Sequence, residues 1–231
     1  MAQGIAKGKK PVASTGDDAF VTSINRLATW GAENTRTLLV GVAAIALAVI
    51  GVLYYVNFQA TVRERAAADL AALRLSAASA EELAPQLEGY IERFDGTASA
   101  DEARLILARV LMDADRTGEA IAVAGAVGQP RNRPVGFAAA QLLATAQEAS
   151  GDAEAALMTL RALGDDARFP FQRRQAQASA ARILVGLGQL DEAAVIYGAI
   201  ADEAEDEDPA EAGVYRLRLG EINARRASTG S

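Results

Sequence analysis

Seven acids stand within the ten residues 202–211 (DEAEDEDPAE), the densest group in this sequence that could do chemistry. Carboxylates at that density could hold calcium or meet a basic partner, yet the run lacks the glycine and the alternate spacing by which a calcium loop wraps its ion. A solvated loop before a final helix is the simpler reading. Arg131 and Arg133, like Arg173 and Arg174, flank proline-containing loops. They could pair with that acid or with lipid headgroups, and surface pairs of this kind contribute little. Histidine and cysteine are both absent, which removes thiol nucleophiles, histidine bases, Ser-His-Asp triads and zinc or haem sites of ordinary composition. No two acids are framed by apolar and aromatic residues as a glycosidase cleft requires. The expectation is a protein that binds and does not catalyse, with no cofactor, no metal and no small-molecule substrate.

The elements that would position a binding surface begin with residues 38–56 (LLVGVAAIALAVIGVLYYV), inside a charge-free interval between Arg36 and Arg63. At about 1.5 Å per residue this stretch covers roughly 28 Å, close to a ~30 Å hydrocarbon core. A buried globular helix would carry charges on a solvated face, and here no face has one. A cleaved secretion signal fits worse, because the apolar run is too long and no small-x-small site follows it: Phe58 stands two before Ala60. Tyr54, Tyr55 and Phe58 would form an aromatic belt at one interface, and Trp30 precedes the other. The expected span is 37–58. Before it come a disordered tail over 1–16 and an amphipathic juxtamembrane helix over 17–36, on which Phe20, Ile24, Leu27, Ala28 and Gly31 share a face. Gly41, Ala44, Ala48 and Gly51 put small residues on one strip of the span, a transmembrane packing face where another helix could approach. Charges close to the span leave its orientation open. Lys7, Lys9 and Lys10 incline it to an N-terminus inside, with the larger part of the chain outside.

From Thr61 onward the sequence holds eighteen basic and twenty-seven acidic residues, a charge near −9, and no lysine follows Lys10. Such a domain repels phosphate backbones, so proteins and not nucleic acids are the expected partners. Its blocks are amphipathic at helical spacing and no run alternates β-branched residues, which predicts an all-α fold. The blocks repeat. Ala193 aligns with Ala156 at a step of 37, and Ala120 and Ala84 follow at steps of 36. The same register aligns Ala181, Ala144, Ala108 and Ala72, and it aligns Leu184, Gln147, Leu111 and Leu75. Pro134 and Pro170 close repeats in register, and Pro209 comes two residues late. Small residues at two fixed positions let paired helices cross closely, and the larger apolar positions seal each pair against the next. The prediction is a helical solenoid over 59–226, with pairs at 61–95, 101–128, 135–164 and 172–204, a capping helix at 209–226 and a short disordered tail at 227–231.

The segments LVGLGQLDEAAVIY, ATAQEASGDAEAALMTL and GEAIAV resemble the tetratricopeptide repeat, with small residues in both helices and a glycine-acid entry to the second. The step of 36 to 37 is longer than that repeat's ~34, and Arg104, Ala140 and Gln177 stand where an aromatic is usual. The resemblance implies a tetratricopeptide-like α-solenoid whose concave face is lined by the first helix of each pair. Its inward positions are Leu105, Arg109 and Met112, then Gln141, Thr145 and Glu148, then Gln175, Arg182 and Val185. That mixture could hold an extended or helical peptide as a promiscuous surface would. It would also suit a solvated helix face with Leu105 and Met112 in the core. The Lys and Asn carboxylate clamp of repeats that bind chaperone tails is absent, so a receptor for acidic C-terminal tails is not expected.

The whole layout runs from Asp17 and Asp18 through an amphipathic helix ending Trp30-Gly31-Ala32-Glu33-Asn34, then one span, then an alanine-rich repeat domain. It is similar to the YfgM-like ancillary subunit family of the SecYEG translocon. That resemblance implies a single-pass inner-membrane protein with a cytoplasmic N-terminus and a periplasmic repeat domain. Its implied partners are the SecYEG translocon, periplasmic chaperones and newly exported client chains. A structural scaffold for cell-envelope assembly or division is the rival expectation.

Overall fold

The structure, a computed structural model, describes residues 35–76 and 79–229. The tail at 1–16 and nearly all of the helix expected at 17–36, Trp30 included, lie outside those residues. Nine helices and no strand occur among the described residues. They are α1 Thr35–Ser76, α2 Ala80–Arg93, α3 Ala98–Asp113, α4 Thr117–Gly125, α5 Pro134–Ala149, α6 Ala153–Asp165, α7 Pro170–Gly186, α8 Leu190–Ala204 and α9 Pro209–Thr229. The backbone divides into two compact units, Met1–Ala60 and Thr61–Ser231.

In the first unit the described chain is the leading part of α1, the one helix among the described residues long and apolar enough to cross a membrane. Every described side chain from Thr35 to Phe58 is exposed. Gly41, Ala44, Ala48 and Gly51 are therefore as open as the other faces of the segment, and a Cβ at Gly41 or Gly51 would meet nothing within 4 Å. No new helix starts near Thr61: α1 continues to Ser76, because neither proline nor glycine interrupts 59–76.

The second unit is the expected solenoid, in which each helix from α2 onward packs on its neighbour in sequence. Helix starts are written in the sequence. Ser79, Thr97 and Asp152 accept from the N–H groups of Glu82, Ala100 and Ala155 at the first turns of α2, α3 and α6. Pro134, Pro170 and Pro209 open α5, α7 and α9, where a missing N–H costs nothing. The turns inside the pairs repeat in detail. Asp115, Gly151 and Gly188 have φ of 58°, 89° and 75°, and the next residue's N–H reaches back to Leu111 O, Gln147 O and Leu184 O at 2.8, 2.9 and 2.9 Å. A left-handed residue with this six-to-one bond ends a helix and releases the chain into the next.

The alanines of the repeat are the crossing points: Ala120, Ala156, Ala193, Ala108 and Ala181 are fully buried, and Ala84 and Ala144 nearly so. The first pair departs from the expected register. Ala72 is exposed and Leu75 is 89% exposed, while Ala66 and Leu70 are buried. They match Ala103 and Leu107 at a step of 37, and the one-residue offset turns a helix by about 100°. Alanine occurs on every face of 66–72, so the 36-residue step looked equally good in the sequence.

Two apolar clusters run through the domain, one from Ala66 to Ala146 and one from Phe137 to Ile222. Helix α5 belongs to both: Ala146 packs in the first, Phe137, Ala140 and Ala144 in the second. Burying Leu163, Leu184 and Ile200 contributes about 2 kcal/mol each relative to exposure.

Candidate protein-binding surface

Pairs in register place α5 and α7 side by side, and the side chains between them meet at a spacing of 34 residues. Gln175 Nε2 donates to Gln141 Oε1 at 3.4 Å, and Arg182 donates through Nη1 and Nη2 to Glu148 Oε1 and Oε2 at 2.8 and 2.5 Å. A two-bonded arginine-carboxylate fork of this kind fixes direction as well as distance. It holds the Glu148 carboxyl below its ordinary value and raises the Arg182 guanidinium. Thr145 turns back on its own helix, its hydroxyl donating to Gln141 O at 3.0 Å. These five residues line a depression of about 140 Å³ whose floor includes Ala144, Leu160 and Ile183.

Two more depressions continue from it, and Arg182 borders all three. One, of about 260 Å³, has Val185, Tyr197 and Ile222 as its apolar lining and Arg218, Glu221 and Arg225 at its edge. The other, of about 270 Å³, adds Gln175, Val214 and Tyr215. Arg218 donates to Glu221 at 3.0 Å. Tyr197 is buried, which pushes its phenol up, and its hydroxyl donates to Ala178 O at 3.3 Å. The surface is thus an apolar floor broken by paired charges and amide edges, able to grip a peptide by both kinds of contact.

Six of the nine expected positions, Gln141, Thr145, Glu148, Gln175, Arg182 and Val185, lie on this face. Leu105, Arg109 and Met112 stand one pair earlier on α3. There Arg109 is exposed, Leu105 half-buried, and Met112 packed against the first apolar cluster. The sequence reading missed Tyr197, Val214, Tyr215, Arg218, Glu221 and Arg225. The repeat register predicts only a cap at 209–226, whereas α9 occupies the place of a further first helix. The late proline at 209 was the available signal.

The acid run at 202–211 is spent on the fold. Arg174, with 2% of its side chain exposed, reaches Glu203 at 3.4 Å, Glu207 at 2.9 Å and Glu211 at 2.8 Å. Tyr215 donates to the other oxygen of Glu211 at 2.5 Å, and Asp208 Oδ1 caps α9 by accepting from Ala210 and Glu211 N–H at 3.1 Å each. Arg173 pairs with Glu203 at 2.6 Å. Arg174 is therefore no solvated surface arginine: three glutamates close over it and join α7 to α9. Its bond lowers the Glu211 carboxyl, and the Tyr215 phenol is raised, chiefly by burial.

Helix pairs stacked in register, with adjoining depressions along α5, α7 and α9, define a protein of the helical-repeat class. The chain matches the tetratricopeptide repeat-like domain over residues 28–224 and belongs to that family. Two solved structures share the fold: TPR-like repeats of a Podosopora anserina kinesin light chain protein, and a point variant of the same repeats. Each is 18% identical with a TM-score of 0.53, over 73% of this chain and 87% or 88% of theirs. No curated protein matches the chain.

Proposed function

We propose that this is a membrane-anchored, protein-binding module whose repeat domain lies in the periplasm, ancillary to the Sec translocon, linking it to periplasmic chaperones and assisting newly exported chains. The observation that carries the binding role is the strip of three adjoining depressions on α5, α7 and α9, apolar below and polar at its edge. The apolar part of α1 supports the anchor, the cluster of lysines at 7–10 supports a cytoplasmic N-terminus, and the order of elements from Asp17 to the repeats supports the translocon. A scaffold in envelope assembly or division is the second reading. It is favoured by the repeats alone, which hold partners of many kinds.

Copurification from gently solubilised membranes separates the two. Recovery of translocon subunits and periplasmic chaperones supports the first reading; recovery of wall or outer-membrane machinery alone overturns it. Replacing Gln141→Arg and Gln175→Arg together crowds the strip without touching the core, and should reduce recovered partner several-fold at unchanged melting temperature. If partners are retained in full, the strip is not their site. Topology is tested separately, since protease added outside spheroplasts must digest the repeat domain if it is periplasmic.

A further inference from the structure

The loops that join one pair to the next lie along one edge of the solenoid, in chain order. Arg131 and Asp166, 3.5 Å apart, link the α4–α5 loop to the α6–α7 loop, and Arg173 in the first turn of α7 pairs with Glu203 in the last turn of α8, beside the α8–α9 loop. Along this edge the chemistry changes in steps. The first loop presents Arg133, which is exposed and makes no ion pair among the described residues. The middle loop and the first turn of α7 present Phe169 and Phe171, 45% and 54% exposed, with rings stacked at 5.8 Å and the Arg168 guanidinium 5.4 Å from the Phe169 ring. The third presents Asp206, with Asp202 beside it in the last turn of α8, exposed acids left over after Arg174 has taken up its three glutamates.

A basic end, an aromatic centre and an acidic end make a surface complementary to itself. Turned about a two-fold axis through the phenylalanines, the edge of a second copy sets its Asp202 and Asp206 against Arg133, its Arg133 against the acids, and its rings against the rings. An anionic bilayer fits the basic end and the phenylalanines but is repelled by the acids on the same edge. We propose that this edge is an interface between two copies of the chain, the aromatic pair providing the apolar contact and the end charges the register.

The chain has no cysteine, so introduced thiols report on neighbours without background. Full-length Arg133→Cys and Asp206→Cys chains, each in mild detergent, would be mixed and gently oxidised. A mixed disulfide dimer is expected well above the yield of either chain alone and of Ser150→Cys, which lies on the opposite edge. Phe169→Ser with Phe171→Ser should weaken association about tenfold. Arg133→Asp should abolish the dimer, and Asp202→Arg with Asp206→Arg in the same chain should restore it. The swap needs no change at the phenylalanines and so stands even if that variant folds poorly. Mixed dimer no more abundant than the Ser150→Cys control, or failure of the charge swap to restore association, overturns the proposal. Binding to anionic vesicles that is lost with the phenylalanines, without cross-linking, would assign the edge to a lipid surface instead.

Discussion

Asp115 holds a φ of 58° at the turn where the next two pairs use Gly151 and Gly188. The left-handed region strains any residue with a Cβ, and aspartate is among those that tolerate it. Asp115→Gly should therefore stabilise the domain by about 0.5 kcal/mol, the relief of strain exceeding the extra freedom of glycine in the unfolded chain. Gly188→Ala should cost about 1 kcal/mol by the same argument reversed. Denaturant midpoints with unchanged slopes would measure both; a destabilised Asp115→Gly would show that the turn is held by something other than its φ. Gly136 is required for another reason. A Cβ there would stand 2.2 Å from Pro130 O and 2.7 Å from Gln129 O, backbone atoms that cannot swing aside. Gly136→Ala should cost about 2 kcal/mol or more, visible as a lowered midpoint, because the α4–α5 loop must move to admit it. The turn glycines were legible from the repeat; Gly136 was not, since its constraint comes from a loop folded back over the helix.

Among the helices, α7 and α9 are joined by Arg174, and that link depends on carboxylates staying charged. Glu211 and Glu148 have folded pKa values below the ordinary 4.5, held there by hydrogen bonds from Arg174 and Arg182. Groups lowered in this way contribute stability that is present above 4.5 and is lost as pH falls through the lower folded value. Melting temperature should be flat from neutral pH towards 4.5 and then drop. Glu211→Gln should remove part of that slope, and a drop unchanged in the variant would exclude the link as its source. Arg174→Ala, which strips three glutamates of their common partner, should cost about 2 to 4 kcal/mol at neutral pH. The sequence predicts that these residues can pair, as solvated surface charges. Burial of Arg174 is decided by how α9 lies across α7, and a count of charges carries no information about that.

Across the whole repeat domain, each pair touches only its neighbours, so stability is a sum of local terms joined through shared helices. Helix α5 has one face in each apolar cluster and should exchange its amide hydrogens among the slowest, while the end of α9 beyond Ile222, wholly exposed at 223–228, should exchange fastest. Fast exchange in α5 would mean that the two clusters open independently. Periodicity, capping residues and composition act over a turn or two of chain. They were enough to set the number of helices from the second pair onward, the apolar stretch of α1, and the lack of thiol and imidazole groups. Packing between helices chose the rest: which face of 61–76 is buried, that the acid run closes on Arg174, and that α8 and α9 extend the strip with Tyr197, Arg218 and Glu221. Each depends on the rotation of one helix against another, and in a chain so rich in alanine several rotations bury small residues equally well, leaving the few large side chains and their partners to choose among them.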